Sequence, residues 1–147
     1  MYTFTIYNTN VQPDDSQKQE VVDFLFSHLQ QYGDPKEDIL KCLEYATGEQ
    51  VGAPGGFALL IKEKKELLGV TIVNKTGMAG YIPENILVYI AVHENTRGKG
   101  VGKKLMEKAL DIADGDVALH VEPDNPAKFL YEKLGFTNKY LEMRYKK

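Results

Sequence analysis

The sequence predicts an α/β domain of 147 residues. Three observations predict it. Strand-length apolar runs alternate along the chain with segments whose apolar residues recur at helical spacing. The run Asn85 to Val92 is nearly all apolar, as in a central strand buried on both faces. A glycine-spaced turn, Gly98-Lys99-Gly100-Val101-Gly102, follows it and opens directly into an amphipathic helix.

Each element has its own signal. Tyr2 to Tyr7 alternates like a strand. Asp14, Asp15 or Ser16 can cap a helix with the apolar stripe Val21, Phe24, Leu25, His28, Leu29 and Tyr32. Gly33 ends it, and Asp34-Pro35 starts a second helix through Ile39, Leu40, Leu43 and Tyr45. Gly48 to Gly56 holds four glycines and a proline, so it reads as a loop. Phe57 to Ile61 and Leu67 to Val73 are β-rich and flank the charged turn Lys62 to Glu66, which predicts a hairpin. Asn74 to Pro83 is a second loop, and Asn85 to Val92 the third long strand. The helix from Lys103 to about Ala113 carries its apolar stripe at Leu105, Met106, Ala109, Leu110 and Ala113. Val117 to Val121 and Ala127 to Leu134 add a strand and a short helix, and a last strand closes the order β-α-α-β-β-β-α-β-α-β.

The glycine turn is where chemistry is expected. The first turn of a helix has backbone N–H groups without internal partners, and its dipole leaves that end partially positive. Glycines at 98, 100 and 102 remove the β-carbons that would hold a bulky anion away. A phosphate or pyrophosphate is the expected ligand. A nucleotide P-loop fails, because Arg97 stands where its first glycine belongs and Lys104 where its hydroxyl belongs. A dinucleotide fingerprint fails too, since its third glycine would fall on Lys103 and the strand stops several residues early.

The form that fits is Arg97-x-x-Gly100-x-Gly102 after a strand and before a helix. Downstream come Val117 to Val121, Glu122-Pro123-Asp124-Asn125, and a helix with Tyr131 ahead of Leu134-Gly135-Phe136. Over residues 85 to 136 this resembles the GNAT acetyltransferase superfamily, whose acyl-CoA pyrophosphate loop has this form. The resemblance implies a GNAT-like acyl-CoA N-acyltransferase fold, α/β with a central mixed β-sheet flanked by helices, in a single domain over 1–147. It implies acetyl-CoA as cosubstrate, bound by the backbone of Ile90, Ala91 and Val92 and by Arg97, Gly98, Lys99, Gly100, Val101 and Gly102. The central strand is expected to carry a bulge and to splay from the next strand, leaving a gap for pantetheine.

The resemblance also implies roles in an acyl transfer from a thioester, which needs a neutral amine, donors for the oxyanion and a proton for the departing thiolate. Tyr131 matches the family's tyrosine near the sulfur and is expected to be the general acid. Counting forward from Val121 assigns Asn125 to the pantetheine arm, and counting back from Tyr131 assigns Asp124; Asn125 is preferred because an amide both donates and accepts. Family members with a base midway along the central strand differ from this chain, which has Ile86 and Val88 there. Glu84, at the strand's start, is read either as a solvated loop charge or as the catalytic base, acting through a water. The acceptor is a small-molecule or peptide amine, and the acidic set Asp34, Glu37, Asp38, Glu44 and Glu49, otherwise a solvated helix face, suits a cationic one. The rival from another class is a non-catalytic acyl-CoA-binding sensor or partner-binding module.

Composition bounds these readings. Hydrophobic content of 43% and charged content of 27% are those of an ordinary globular chain. No apolar run approaches the ~20 residues of a membrane span, and the N-terminus does not read as a signal peptide. A net charge of −3 argues against a nucleic-acid surface. Single Cys42 suits a reducing, cytoplasmic setting and lies too far along the chain from the loop for an acyl-cysteine route. His28 reads as a packed core residue and His93 as a turn residue; with His120 they are too scattered for a metal site, so no metal is expected. The oligomeric state stays open between a monomer and a homodimer.

Overall fold

Two β-rich runs joined by a charged turn make the centre of the sheet. They form β2 (Gly56–Glu63) and β3 (Glu66–Lys75), and the turn between them is the pair Lys64-Lys65, both at positive φ. Two central residues at positive φ give the mirror-type turn whose twist matches a tight hairpin. The computed structural model describes residues 1–147. β1 (Tyr2–Tyr7) pairs antiparallel with β2, and β4 (Asn85–Val92) antiparallel with β3. β5 (Val117–Leu119) pairs with β4 in parallel, so the sheet is mixed and runs β1-β2-β3-β4-β5.

Helices cover both faces because the strands bury apolar residues on both. On one face lie α1 (Asp15–Leu29), a 3₁₀ turn at Gln30–Tyr32 and α2 (Lys36–Ala46). Asp14 caps α1 through a reciprocal box with Gln17, satisfying two donors that a helix start leaves open. Val21, Leu25, Ile39 and Leu43 pack here against Leu60, Val70 and Ile72 of the strands. On the other face lie α3 (Val101–Ile112) and α4 (Ala127–Lys133). Val101, Leu105, Met106 and Tyr131 pack there against Leu59, Ile61, Val73 and Leu87.

Three expectations are corrected. β4 is not sealed on both faces: its residues alternate in burial, and Val88 is 38% exposed. The cause is a bulge, since Ile72 pairs with Tyr89 while Val73 pairs with Leu87, leaving Val88 extra. The expected last strand is absent. Residues 137–147 have no regular secondary structure and make no backbone hydrogen bond, and a strand exists only against a partner. The helix after the glycine turn starts at Val101 rather than Lys103, because Gly100 takes a left-handed φ of 77° as its N-cap.

Candidate active site

The bulge and the short β5 together open the sheet. β5 meets β4 only at Asn85, Ile86 and Leu87, so from Val88 to Val92 the β5 side of β4 carries no strand. An unpaired edge offers backbone donors and acceptors to an extended ligand, as a strand would. The bulge also changes which face each side chain takes. Leu87, Ile90 and Val92 face the α3–α4 side with Tyr131, while Tyr89 and Ala91 face α1 and α2.

The glycine turn stands at the end of this gap. His93 N–H donates to the Leu68 carbonyl at 2.7 Å, carrying the β3–β4 ladder one step past the strand. The Thr96 hydroxyl and N–H both donate to the His93 carbonyl, at 2.6 and 2.9 Å, and fix the bend. Beyond it, the N–H groups of Gly98, Gly100, Val101, Gly102 and Lys103 have no acceptor within the chain. A β-carbon added at Gly98 or Gly100 would meet nothing within 4 Å, so the turn is open to solvent. One at Gly102 would meet Leu130 at 3.5 Å and Val92 at 3.8 Å, which places α4 across the first turn of α3. Arg97, Lys99, Lys103 and Lys104 are all exposed around the turn, though Lys104 Nζ lies 5.9 Å from the Tyr2 ring centroid, toward β1. The arrangement can hold a bulky anion, with an extended arm continuing into the gap.

A model of the acetyltransferase (GNAT) family matches residues 20–136. The chain belongs to that family. GNAT enzymes are acyltransferases that move an acetyl group from acetyl-CoA, and the free N–H groups and the open strand edge suit that cosubstrate. No curated protein matches the chain. Among solved structures, an aminoglycoside N-acetyltransferase crystallised with CoA is 16% identical, with a TM-score of 0.70, over 100% of this chain and 95% of its own. A ribosomal-protein-alanine N-acetyltransferase from Brucella melitensis is 18% identical over 99% of both chains, with a TM-score of 0.62. A transcriptional regulator from Bacillus halodurans is 16% identical over 98% of this chain and 99% of its own, with a TM-score of 0.68. At these identities the likeness is one of fold.

Within the GNAT frame, Ile90, Val92, Val101 and Tyr131 come together in one cluster. Tyr131 is 7% exposed, and burial pushes its phenol up to about 12. Its hydroxyl has no partner in the chain, yet the one fully buried unpartnered side-chain polar atom is Asn74 Oδ1, so the phenol oxygen keeps some access to solvent. Asn125 Oδ1 accepts from Ala127 N–H at 3.0 Å at the start of α4, which leaves its Nδ2 as a spare donor. Glu84 sits apart, at the opposite end of β4 from the turn. Its carboxylate accepts from Asp116 N–H at 2.7 Å and from Gly80 N–H at 3.1 Å, and these two bonds hold it below the usual carboxylate range. Cys42 is half-buried against the α1–α2 cluster, where burial pushes its thiol up to about 12 and keeps it protonated.

Some contacts around the site escape sequence reasoning. The Tyr89 hydroxyl donates to Asp34 Oδ2 at 2.5 Å, tying the start of α2 to β4 just past the bulge, and burial with the nearby Asp34 raises the phenol. Tyr32 donates to the Asp124 carbonyl at 3.4 Å, so the 3₁₀ turn after α1 reaches the loop before α4. His28 is not a fully packed core residue and the histidines are not all scattered: the His28 ring lies 4.8 Å from that of His93, and burial lowers its pKa. No local pattern signals these contacts, because each joins residues distant in the chain.

Proposed function

We propose that this GNAT enzyme acetylates a primary amine by direct attack on the thioester of acetyl-CoA lying in the β4–β5 gap. The observation that carries the reading is a strand edge left open from Val88 to Val92, leading to a turn with free N–H groups. The pyrophosphate is assigned to Gly98, Gly100, Val101 and Gly102, with Arg97 and Lys99 neutralising charge beside the helix end. The pantetheine arm takes the backbone of Ile90, Ala91 and Val92 and the spare donor of Asn125. Because the gap pierces the sheet, the two faces supply different parts of the reaction. The amine approaches from the α1–α2 face, where Asp34 offers a carboxylate to a cation. Its nitrogen bonds to the carbonyl carbon, the C–S bond breaks, and Tyr131 gives the departing sulfur a proton from the other face. The proton lost by the amine goes to water. With both oxygens held by backbone amides, Glu84 is left as a strut rather than a base.

Steady-state CoA release over a panel of mono- and diamines tests the reading. At saturating acetyl-CoA, at least one primary amine should release CoA, and Asp34→Asn should lower kcat/KM for a diamine by about tenfold, or about 1.4 kcal/mol. Acetyl-CoA at a hundred times its Kd should stabilise the fold by about 2.7 kcal/mol, and NADH by nothing. Binding without release for any amine would leave a binding module.

A further inference from the structure

Under the proposed function the sulfur gains a proton, and the attacking nitrogen has one to lose. A water that takes it works faster with a base beyond it. The side chains of the α1–α2 face sort by whether they have a lone pair to spare. The Cys42 thiol is protonated. The Tyr89 hydroxyl is given to Asp34, whose carboxylate is engaged with it and, in the proposed reaction, with a cation. His93 continues the β3–β4 ladder through its N–H, so its ring stands on the same face as Tyr89 and Ala91. Its Nδ1 accepts from Asn95 N–H at 3.1 Å. The neutral ring then carries its proton on Nε2 and has no lone pair left.

His28 is different. It stands in the last turn of α1, its ring 4.3 Å from that of Phe24 and 4.8 Å from that of His93. The second contact puts it at the glycine-turn end of the open stretch Val88 to Val92. Four residues on, Tyr32 reaches the Asp124 carbonyl on the far side of the gap, so this end of the helical layer crosses the opening. Neither ring nitrogen of His28 has a partner in the chain, and neither is sealed from water, since the one buried unpartnered atom is Asn74 Oδ1. The titratable groups that face it are His93 and Glu94. Burial first, and then His93, lower its pKa against the pull of Glu94, so the ring is neutral at pH 7 with a lone pair free.

We infer that His28 receives, through one water, the proton lost by the attacking amine, and that His93 is the positioning residue that holds its ring in place. This rests on the proposed direct attack in the gap. As the nitrogen bonds to the carbonyl carbon it becomes positively charged and gives a proton to the water, which passes one of its own to a ring nitrogen of His28. The C–S bond then breaks with the proton of Tyr131 on the sulfur. The imidazolium of His28 returns its proton to solvent, and Tyr131 takes one back, so each turnover ends as it began. The two proton carriers stand on opposite faces of the sheet, where neither can neutralise the other directly.

The test is kcat against pH at saturating acetyl-CoA, with whichever amine of the mono- and diamine panel releases CoA fastest from wild type. Wild-type kcat should fall on the acid side as His28 gains a proton in the loaded enzyme. In His28→Gln that acid limb should vanish, and kcat at neutral pH should drop at least about tenfold, less than the usual ~10²–10⁴ because water alone still takes the proton. His93→Asn keeps an acceptor for Asn95 N–H, since an asparagine side chain bonds the backbone two residues on, but removes the ring that lowers the His28 pKa. The limb should therefore move to higher pH, a displacement that a packing role for either ring does not produce. This second variant decides the matter where His28→Gln unfolds. A limb at the wild-type position in every folded variant, or His28→Gln within about twofold of wild type, overturns the inference and leaves the proposed function standing. A wild type that releases no CoA with any amine overturns both.

Discussion

The two edges of β4 differ sharply. Along β3 it is paired from Asn85 to Val92 and one step beyond, through His93. Along β5 it is paired only from Asn85 to Leu87. The β3 edge belongs to a slab of long strands whose side chains Leu59, Leu60, Ile61, Val70 and Ile72 have no exposure at all. The β5 edge borders residues that are half-buried and a strand of minimal length. Buried packing is concentrated on the first edge and unpaired backbone on the second; under the proposed function, that unpaired backbone is what an extended arm would bond to.

The largest effect should come from the functional edge. Tyr131→Phe keeps the ring and its packing but removes the only proton the phenol can give. General acid catalysis is worth ~10²–10⁴-fold, so turnover at saturating acetyl-CoA should fall by about 3 to 5 kcal/mol in barrier height, with acetyl-CoA affinity nearly intact. Turnover within about twofold of wild type, roughly 0.4 kcal/mol, would remove Tyr131 from the mechanism.

The structural edge should answer in the opposite way. Leu60 is fully buried in β2 between α1, α2 and the neighbouring strands. Leu60→Ala should cost about 2–5 kcal/mol of stability by denaturant unfolding, from lost burial and the cavity left behind. Acetyl-CoA affinity per folded molecule should stay the same. A matching loss of affinity would show that the slab and the gap are not separable.

Gly102→Glu sharpens the contrast at the turn. The φ of Gly102 is not in the left-handed region, and a β-carbon there makes only ordinary contacts, so the backbone accepts a side chain. A carboxylate in the first turn of α3 is favourable to the helix dipole but competes for the same N–H groups as a pyrophosphate. Acetyl-CoA affinity should drop at least about tenfold, or 1.4 kcal/mol, with the melting temperature held. Unchanged affinity by calorimetry would move the pyrophosphate elsewhere.

How far the sequence discloses this molecule follows the same division. The capping box at Asp14, the hairpin at Lys64-Lys65 and the glycine turn are local, and each is legible from a few neighbouring residues. The turn was legible only in part: the three glycines look alike in sequence, yet Gly98 and Gly100 need left-handed φ and Gly102 does not. The Val88 bulge depends on the register of β3 against β4, which no local pattern sets. The Asp34–Tyr89 bond joins positions 55 residues apart. The strand expected at the end of the element order shows its alternation in Leu141, Met143 and Tyr145, but a pattern does not supply the edge that a strand needs.

Glu84 gives the smallest effect and decides between two uses of one carboxylate. It stands beside the paired stretch of β4, and its oxygens tie the strand's entry to Gly80 and Asp116. Those bonds depress its folded pKa, chiefly the one from Asp116. A depressed carboxylate contributes stability that is present above its unfolded pKa, about 4.3, and is lost as pH falls through the lower folded value. Glu84→Gln carries no charge to lose, so wild type should be the more stable of the two at neutral pH. The gap between them should narrow only below about pH 4.3, read as urea midpoints across a pH series. At neutral pH, CoA release by Glu84→Gln should stay within about twofold of wild type. A fall of about a hundredfold with the midpoint unchanged would restore Glu84 as the base acting through water, and would put catalysis on both ends of β4 rather than at its open edge alone.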